Sequence, residues 1–441
     1  MLCARLRTVM WLRWLVRRSG YFSSMLMCAL TSACVFAQSQ TANLEITISC
    51  TDTRSQCYDE TLVSGLNLAA IPWHNRSGPW GPQVPIELPR LPVTTKTVNV
   101  SSPQEFNRAA SRPGTEIIIK RGWSGNSVVG AHVNDIDIVI PPSVSIGAIQ
   151  IGLWGQKTKA SRIRIRGPVA GTHSGGRMGQ FRDFGVGTDI TIDGVDLNGD
   201  ATAYGGAETN QAFRVNNTTR IAVSNARVIA GGYTWLGSAK HVIIYNSNFY
   251  HGGATRAETG YPEGWGIRNT GGPVTIVGSR IQGTRYHNIR TQSKGGAGEL
   301  LYVADSVLVG VNEGRTAWLW NNLGNGPWSG QGAIIENSEI YSYSTIGCGL
   351  GNEISATDVA YSRVTNNEFF GGGVAVFTQS YLNQQAANGG QPGSHDWSVG
   401  NTFSPLVSLP PWAGPGDPRN VPLPLGMVLN TGEAPCLFPP I

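Results

Sequence analysis

One phrase recurs along this chain and limits what it can fold into. A short run of β-branched and apolar residues is followed by Asn, Asp or Gly, a small residue, and a second apolar run. It reads ITIDGVDL at 190–197, IAVSNARV at 221–228, VIIYNSNF at 242–249 and VTIVGSRI at 274–281, then LYVADSVL at 301–308, AIIENSEI at 333–340 and SRVTNNEF at 362–369. Looser versions lie at 136–146, 162–167 and 397–403. The spacing is uneven, from 21 residues (Ile221 to Val242) to 32 (Val242 to Val274). Each phrase alternates apolar and polar residues, the period of a half-buried strand. The column Asp193, Asn225, Asn246, Gly278, Asp305, Asn337 and Asn366 falls where the chain must turn sharply, and these residue types tolerate left-handed backbone angles. Equal phrases at unequal spacing require a coil of constant cross-section with loops of variable length on one side. The expected fold is all-β: a single-stranded right-handed parallel β-helix of about nine or ten coils stacked ~4.8 Å apart. Its body is expected over 100–403. The high count of 57 Gly and 25 Pro against 14% charged residues agrees with many short strands and turns, and argues against a helix bundle.

The segment PQEFNRAASRPGTEIIIKRG at 103–122 has the pattern of an amphipathic helix followed by a first strand. A cap is needed there, because an open coil end exposes a sheet edge over an apolar core. Over residues 100–403 the chain resembles the pectin-lyase-like superfamily of right-handed parallel β-helices. That resemblance rests on the repeat and the cap, and it implies a fold and a substrate class, polysaccharide, without selecting an activity.

Four segments are expected. Residues 1–37 carry five arginines and no acid ahead of the apolar run Met25–Phe36, and Val35-Phe36-Ala37 presents a small-residue cleavage site. They read as a secretory signal cut after Ala37, so the protein is expected to be secreted, periplasmic or extracellular. A lipoprotein variant would use Cys34, and the apolar run is short for a membrane span. Residues 38–99 and 404–441 are Pro-rich and read as irregular wraps that flank the β-helix. Without the signal, 33 Lys and Arg become 28, against 28 Asp and Glu. A formally neutral mature chain gives no reason to expect nucleic acid or an acidic membrane as a partner. Cys50, Cys57, Cys348 and Cys436 remain, an even number compatible with disulfides whose connectivity is open.

The strand after each variable loop reads AFRV (212–215), TWLG (234–237), GIRN (266–269), NIRT (288–291) and WLWN (318–321). With Phe213, Ile267, Ile289 and Leu319 inward, the alternate positions form one outward column: Arg214, Trp235, Arg268, Arg290, Trp320 and Phe377. Indole faces stack on pyranose rings and guanidinium forks bind carboxylates, so the column suits a uronate-containing polysaccharide. In the resembled superfamily this face commonly binds the sugar chain. A lyase must neutralise the uronate carboxylate, remove the proton beside it and protonate the leaving oxygen. Arg268 and Arg290 are assigned the first task, and His287 or Tyr286 the proton transfers. Glu258 and Glu263 are placed to assist or to hold a cation, with calcium the ion that related β-helix lyases use. The rival reading is a glycoside hydrolase built on loop carboxylates, Asp200 with Glu208 or Glu258 with Glu263, because hydrolysis needs a carboxylate pair. The polygalacturonase-type residue set is absent. A non-catalytic polysaccharide-binding surface protein would use the same column.

Overall fold

The computed structural model describes residues 87–153, 159–183, 185–198, 211–230, 234–251, 265–269, 273–282, 287–293, 300–311, 315–321, 332–343, 354–355, 362–370, 374–375 and 398–404. Residues 1–37, expected as a signal, Cys50, Cys57, Cys348 and Cys436, most of both Pro-rich flanks, and Tyr286, Phe377 and the loop acids Asp200, Glu208, Glu258 and Glu263 lie outside them.

The chain is a right-handed parallel β-helix. Among the described residues every strand pairs in parallel, in one sheet of twelve strands and two of ten. The long sheet runs from Lys96–Val100 and Thr115–Ile119 to Ser362–Thr365 and Ser398–Val399. A second sheet runs from Ser145–Ile146 to Thr402–Ser404, and the third from Ser127–Val129 to Val374–Ala375. The chain visits the third sheet, the long sheet and the second sheet in turn, as in Phe213–Asn216, Thr219–Ser224 and Arg227–Ala230, and then climbs one coil. The first strand of the long sheet already lies at Lys96–Val100, ahead of the helix, so the body begins slightly before 100.

Stacking one apolar residue type on itself builds the core. On the long sheet Ile138, Ile165, Ile192, Val223, Ile244, Ile276 and Val303 occupy one register position on successive coils and are all buried. Burying such a side chain is worth roughly 1.5–3 kcal/mol, and the stack repeats that gain coil by coil.

The helix expected at the open end is α1, Pro103–Ala109. Ser102 accepts the Glu105 N–H, and the Glu105 carboxylate reaches back past the cap to accept the Ser101 N–H, a variant of the capping box. Phe106 is fully buried and meets Trp123 edge-on at 6.1 Å. Asn107 accepts the Val128 N–H at 2.8 Å, which satisfies a donor on the terminal strand of the third sheet. The helix therefore covers an edge that would otherwise template pairing with another chain.

The turn from the long sheet to the second sheet carries the repeating Asn/Asp/Gly. Gly194, Asn225, Asn246, Gly278, Asp305, Asn337, Asn366 and Gly400 all have φ between +44° and +73°. Asp193 does not belong to this column: it is the last residue of its strand, and Gly194 makes the turn. The small residue that follows has its own task. Ser247, Ser279, Ser306 and Ser338 are buried, and each hydroxyl accepts the N–H of the equivalent residue one coil below at 3.1–3.2 Å. Asn367 and Asn401 continue the ladder through their side-chain carbonyls.

The opposite corner is built differently. Asp135, Arg162, Asp189, Arg220 and His241, each the second residue of its strand, also have positive φ, from +53° to +62°. Asp135 pairs bidentately with Arg162 at 2.6 and 2.7 Å, and Asp189 with Arg220 at 2.6 and 2.8 Å. The segment Glu87–Val93, ELPRLPV, runs along this ladder. The N–H groups of Val93, Arg90 and Glu87 donate to Asp135 (3.0 Å), Asp189 (3.0 Å) and His241 (3.2 Å), which skips one coil each time. Three residues thus span two coils. A polyproline-like chain rises about 3.1 Å per residue, or roughly 9.3 Å per triplet, and two coils rise roughly 9.6 Å. The triplets Glu-Leu-Pro and Arg-Leu-Pro place the needed N–H at the first position and proline, which has none, at the third.

Candidate functional site

Strand pairing in the third sheet fixes a single column. Arg182 pairs with Arg214, Arg214 with Trp235, Trp235 with Arg268, Arg268 with Arg290, and Arg290 with Trp318. Six successive coils therefore carry Arg, Arg, Trp, Arg, Arg and Trp at one register position. The expected run Arg214–Trp235–Arg268–Arg290 is found as a line. Trp320, expected as its continuation, pairs instead with Gln292, and Trp318 takes its place. The reason is the register of Arg315–Asn321: Ala317, not Leu319, stands opposite the buried Ile289. That strand is offset by two residues from the expected alignment, which keeps the in–out alternation and moves Trp320 one pleat along.

Sequence reasoning missed Arg182. Its signal is the repeated pair Phe181-Arg182 and Phe213-Arg214. Phe181 and Phe213 are buried and stacked, with ring centroids 5.6 Å apart and planes 20° from parallel. The stack holds the two coils in register, and strand alternation then places both arginines on the outer face, each half-buried. His287 begins its strand and pairs with Trp265, three positions before the Arg268–Arg290 pair.

Trp235 is positioned by its neighbours. Its Nε1–H donates to Asn216 Oδ1 at 2.7 Å. Gly237, two residues on along the same face, gives the indole room: a Cβ there would lie 2.3 Å from Nε1 and 2.6 Å from Asn216 Oδ1. The indole is half-buried and tied to Asn216 above Gly237.

The spacing has chemical meaning. Neighbouring coils stand about 4.8 Å apart, close to the length of one hexopyranose unit in an extended chain. A polymer lying along the solenoid axis would meet one column residue per sugar. Among the described residues no group of three or more His, Cys, Asp or Glu side chains is arranged to hold a metal ion. The loop carboxylates to which a cation was assigned lie outside those residues. No helix among the described residues is long and apolar enough to cross a membrane.

No protein-family model matches the sequence, and no curated protein matches it. Among solved structures the chain is similar to PfbA, a surface adhesin of Streptococcus pneumoniae, at 10% identity. That match has a TM-score of 0.42 and covers 69% of this chain and 87% of the adhesin.

Proposed function

We propose that the protein is an exported carbohydrate-active β-helix protein that binds a uronate-containing polysaccharide along the Arg182–Trp318 column and cleaves it by β-elimination. The observation that carries this reading is the register: four arginines and two tryptophans share one line at one residue per coil. Paired arginines on adjacent coils suit successive carboxylates, and the half-buried Trp235 suits the sugar face between them. The resemblance to pectin-lyase-like β-helices supports the same face.

In the proposed reaction Arg268 and Arg290 bind the uronate carboxylate and stabilise the charge that develops on it. His287 or Tyr286 removes the proton from the carbon beside the carboxylate. The electron pair forms a double bond in the ring as the glycosidic carbon–oxygen bond breaks, and the leaving oxygen is protonated. Trp235 positions the ring. Calcium, where used, would add carboxylate neutralisation.

The test is incubation of the exported chain with uronate and neutral polysaccharides, with and without chelator, following near-ultraviolet absorbance and reducing ends. An unsaturated uronide chromophore on one polymer, lost in Arg268→Ala and Arg290→Ala with the fold intact, is the expected result. Full activity in both variants would overturn the assignment. Reducing ends without the chromophore would move the chemistry to the loop acids Glu258, Glu263, Asp200 and Glu208. Saturable binding without cleavage would leave a binding protein that uses the same column.

A further inference from the structure

A concavity lies on another face, where the long sheet turns into the second sheet. It is a cleft of about 520 Å³, and His173, Asn225, Arg227, Asn246, Asn248 and Arg280 line it. Arg227, Asn248 and Arg280 occupy one register position on three successive coils, so the two guanidinium groups flank an amide. Arg280 and Asn248 are 5% and 2% exposed. His173 is carried in by the connection between Ser161–Arg166 and Arg177–Met178, and its Nε2 meets Asp196 Oδ1 at 2.8 Å. Arg227 also binds Asp196 through both Nε and Nη2. Asp196 thereby fixes the orientation of His173 and Arg227 from beneath the cleft. Burial opposes its ionisation, but the hydrogen bonds from His173 and Arg227 outweigh this and hold its carboxyl below the usual carboxylate range.

Gly278 forms the opening. The amide ladder on this corner runs from Asn225, whose Nδ2 donates to Asp193, to Asn246, whose Nδ2 donates to Asn225 at 2.7 Å. On the next coil the position is Gly278, which also lines the cleft. A Cβ there would meet nothing nearer than the Tyr245 ring at 4.0 Å. The ladder stops and leaves a notch in front of Arg280.

We propose that this cleft is a second ligand site, distinct from the register column, that takes one carboxylate-bearing sugar. Its volume lies within the range of roughly 300–1,000 Å³ typical of small-molecule pockets. No carboxylate lines it among the described residues, and two guanidinium groups do. Arg227 gives its Nε and Nη2 edge to Asp196, so the ligand carboxylate is assigned to Arg280, with Arg227 adding positive charge beside it. The three asparagine amides both donate and accept, which suits sugar hydroxyls; a bare oxyanion accepts only.

The test is calorimetric titration of the full chain carrying Arg182→Ala, Arg214→Ala, Arg268→Ala and Arg290→Ala, so that the guanidinium groups of the column are removed. D-Glucuronate, D-glucose and inorganic sulfate are the probes. Glucuronate is expected to bind, with glucose and sulfate each weaker by about tenfold or more, the worth of a lost charge-assisted or shared hydrogen-bond set. Arg280→Gln is expected to weaken glucuronate by about tenfold. Gly278→Asn is expected to do the same by filling the notch without unfolding the coil, because Asn already takes positive φ at Asn225, Asn246, Asn337 and Asn366. Four results would overturn the proposal: no glucuronate binding, glucose binding equally well, sulfate binding equally well, or glucuronate binding that survives Gly278→Asn.

Discussion

The two corners of the long sheet make the same left-handed turn with different side chains. On the corner leading to the second sheet, Asn and Gly repeat with one Asp, Asp305, and the backbone is held by buried serine hydroxyls. On the other corner, Asp135, Asp189 and His241 alternate with Arg162 and Arg220, and the two arginines adopt an angle unusual for their type, at a cost of roughly 1–2 kcal/mol each. What offsets that cost is charge alternation between neighbouring coils and the strap Glu87–Val93. The first corner is locally encoded, since each turn residue suits its own conformation. The second is encoded only by stacking, because an arginine with positive φ has no local justification.

The comparison can be broken most severely at Gly194. Its φ is +69°, and a Cβ would lie 1.9 Å from the Thr172 carbonyl oxygen, where the His173 loop crosses the turn. Gly194→Ala is expected to cost about 3 kcal/mol or more, from the backbone angle together with the clash. Urea unfolding followed by circular dichroism would measure it, and an unchanged midpoint would mean that the loop can lift away freely.

Asp189→Asn probes the charged corner. Asp189 is 2% exposed, pairs with Arg220 and accepts the Arg90 N–H. Removing its charge is expected to cost about 2 kcal/mol, below the full buried-pair value because Arg220 keeps Glu87 and some solvent. Faster hydrogen exchange at the Arg90 amide should accompany the loss; if only distant amides respond, the strap is not held there.

Acid sharpens the contrast. Burial opposes ionisation of Asp135, yet its hydrogen bonds with Arg162 and the Val93 N–H hold its carboxyl below the ordinary 3.8. Its stabilisation is therefore complete above that value and lost as pH falls through the lower folded-state value. Exchange protection at Val93 should fall only in that acid range. Asp305, raised by burial and then by the charge of Glu336, has the opposite sign. Its contribution favours folding below 3.8 and is lost as pH rises through the higher folded-state value.

The smallest effect belongs to Glu87→Gln. The Glu87 side chain is 47% exposed, so its pair with Arg220 is expected to be worth about 0.5 kcal/mol or less. The Glu87 N–H to His241 bond does not need the carboxylate. A melting-temperature loss as large as that of Asp189→Asn would show that the strap is held by its side chains rather than its backbone.

The recurring phrase alone determined the coil: alternating apolar residues needed a buried face, and Asn or Gly marked where each coil turns. The helix at 103–109 was equally legible, from Ser102, Glu105 and Phe106 at capping and core spacing. The run Arg214, Trp235, Arg268 and Arg290 could be read because each adjoins an apolar residue that had to point inward, Phe213, Leu236, Ile267 and Ile289. Trp318 against Trp320 could not, because two in–out frames separated by two residues have the same pattern; only pairing with Ile289 chooses between them. Arg182 had a sequence signal in the repeated Phe-Arg pair, but the stacking of Phe181 on Phe213 and the strand pairing put it in the column. The strap and the Arg280 cleft depend on residues 154 and 107 positions apart, Glu87 with His241 and His173 with Arg280. A local pattern reports which face a residue takes, whereas the rise of the coils decides which distant residues share that face.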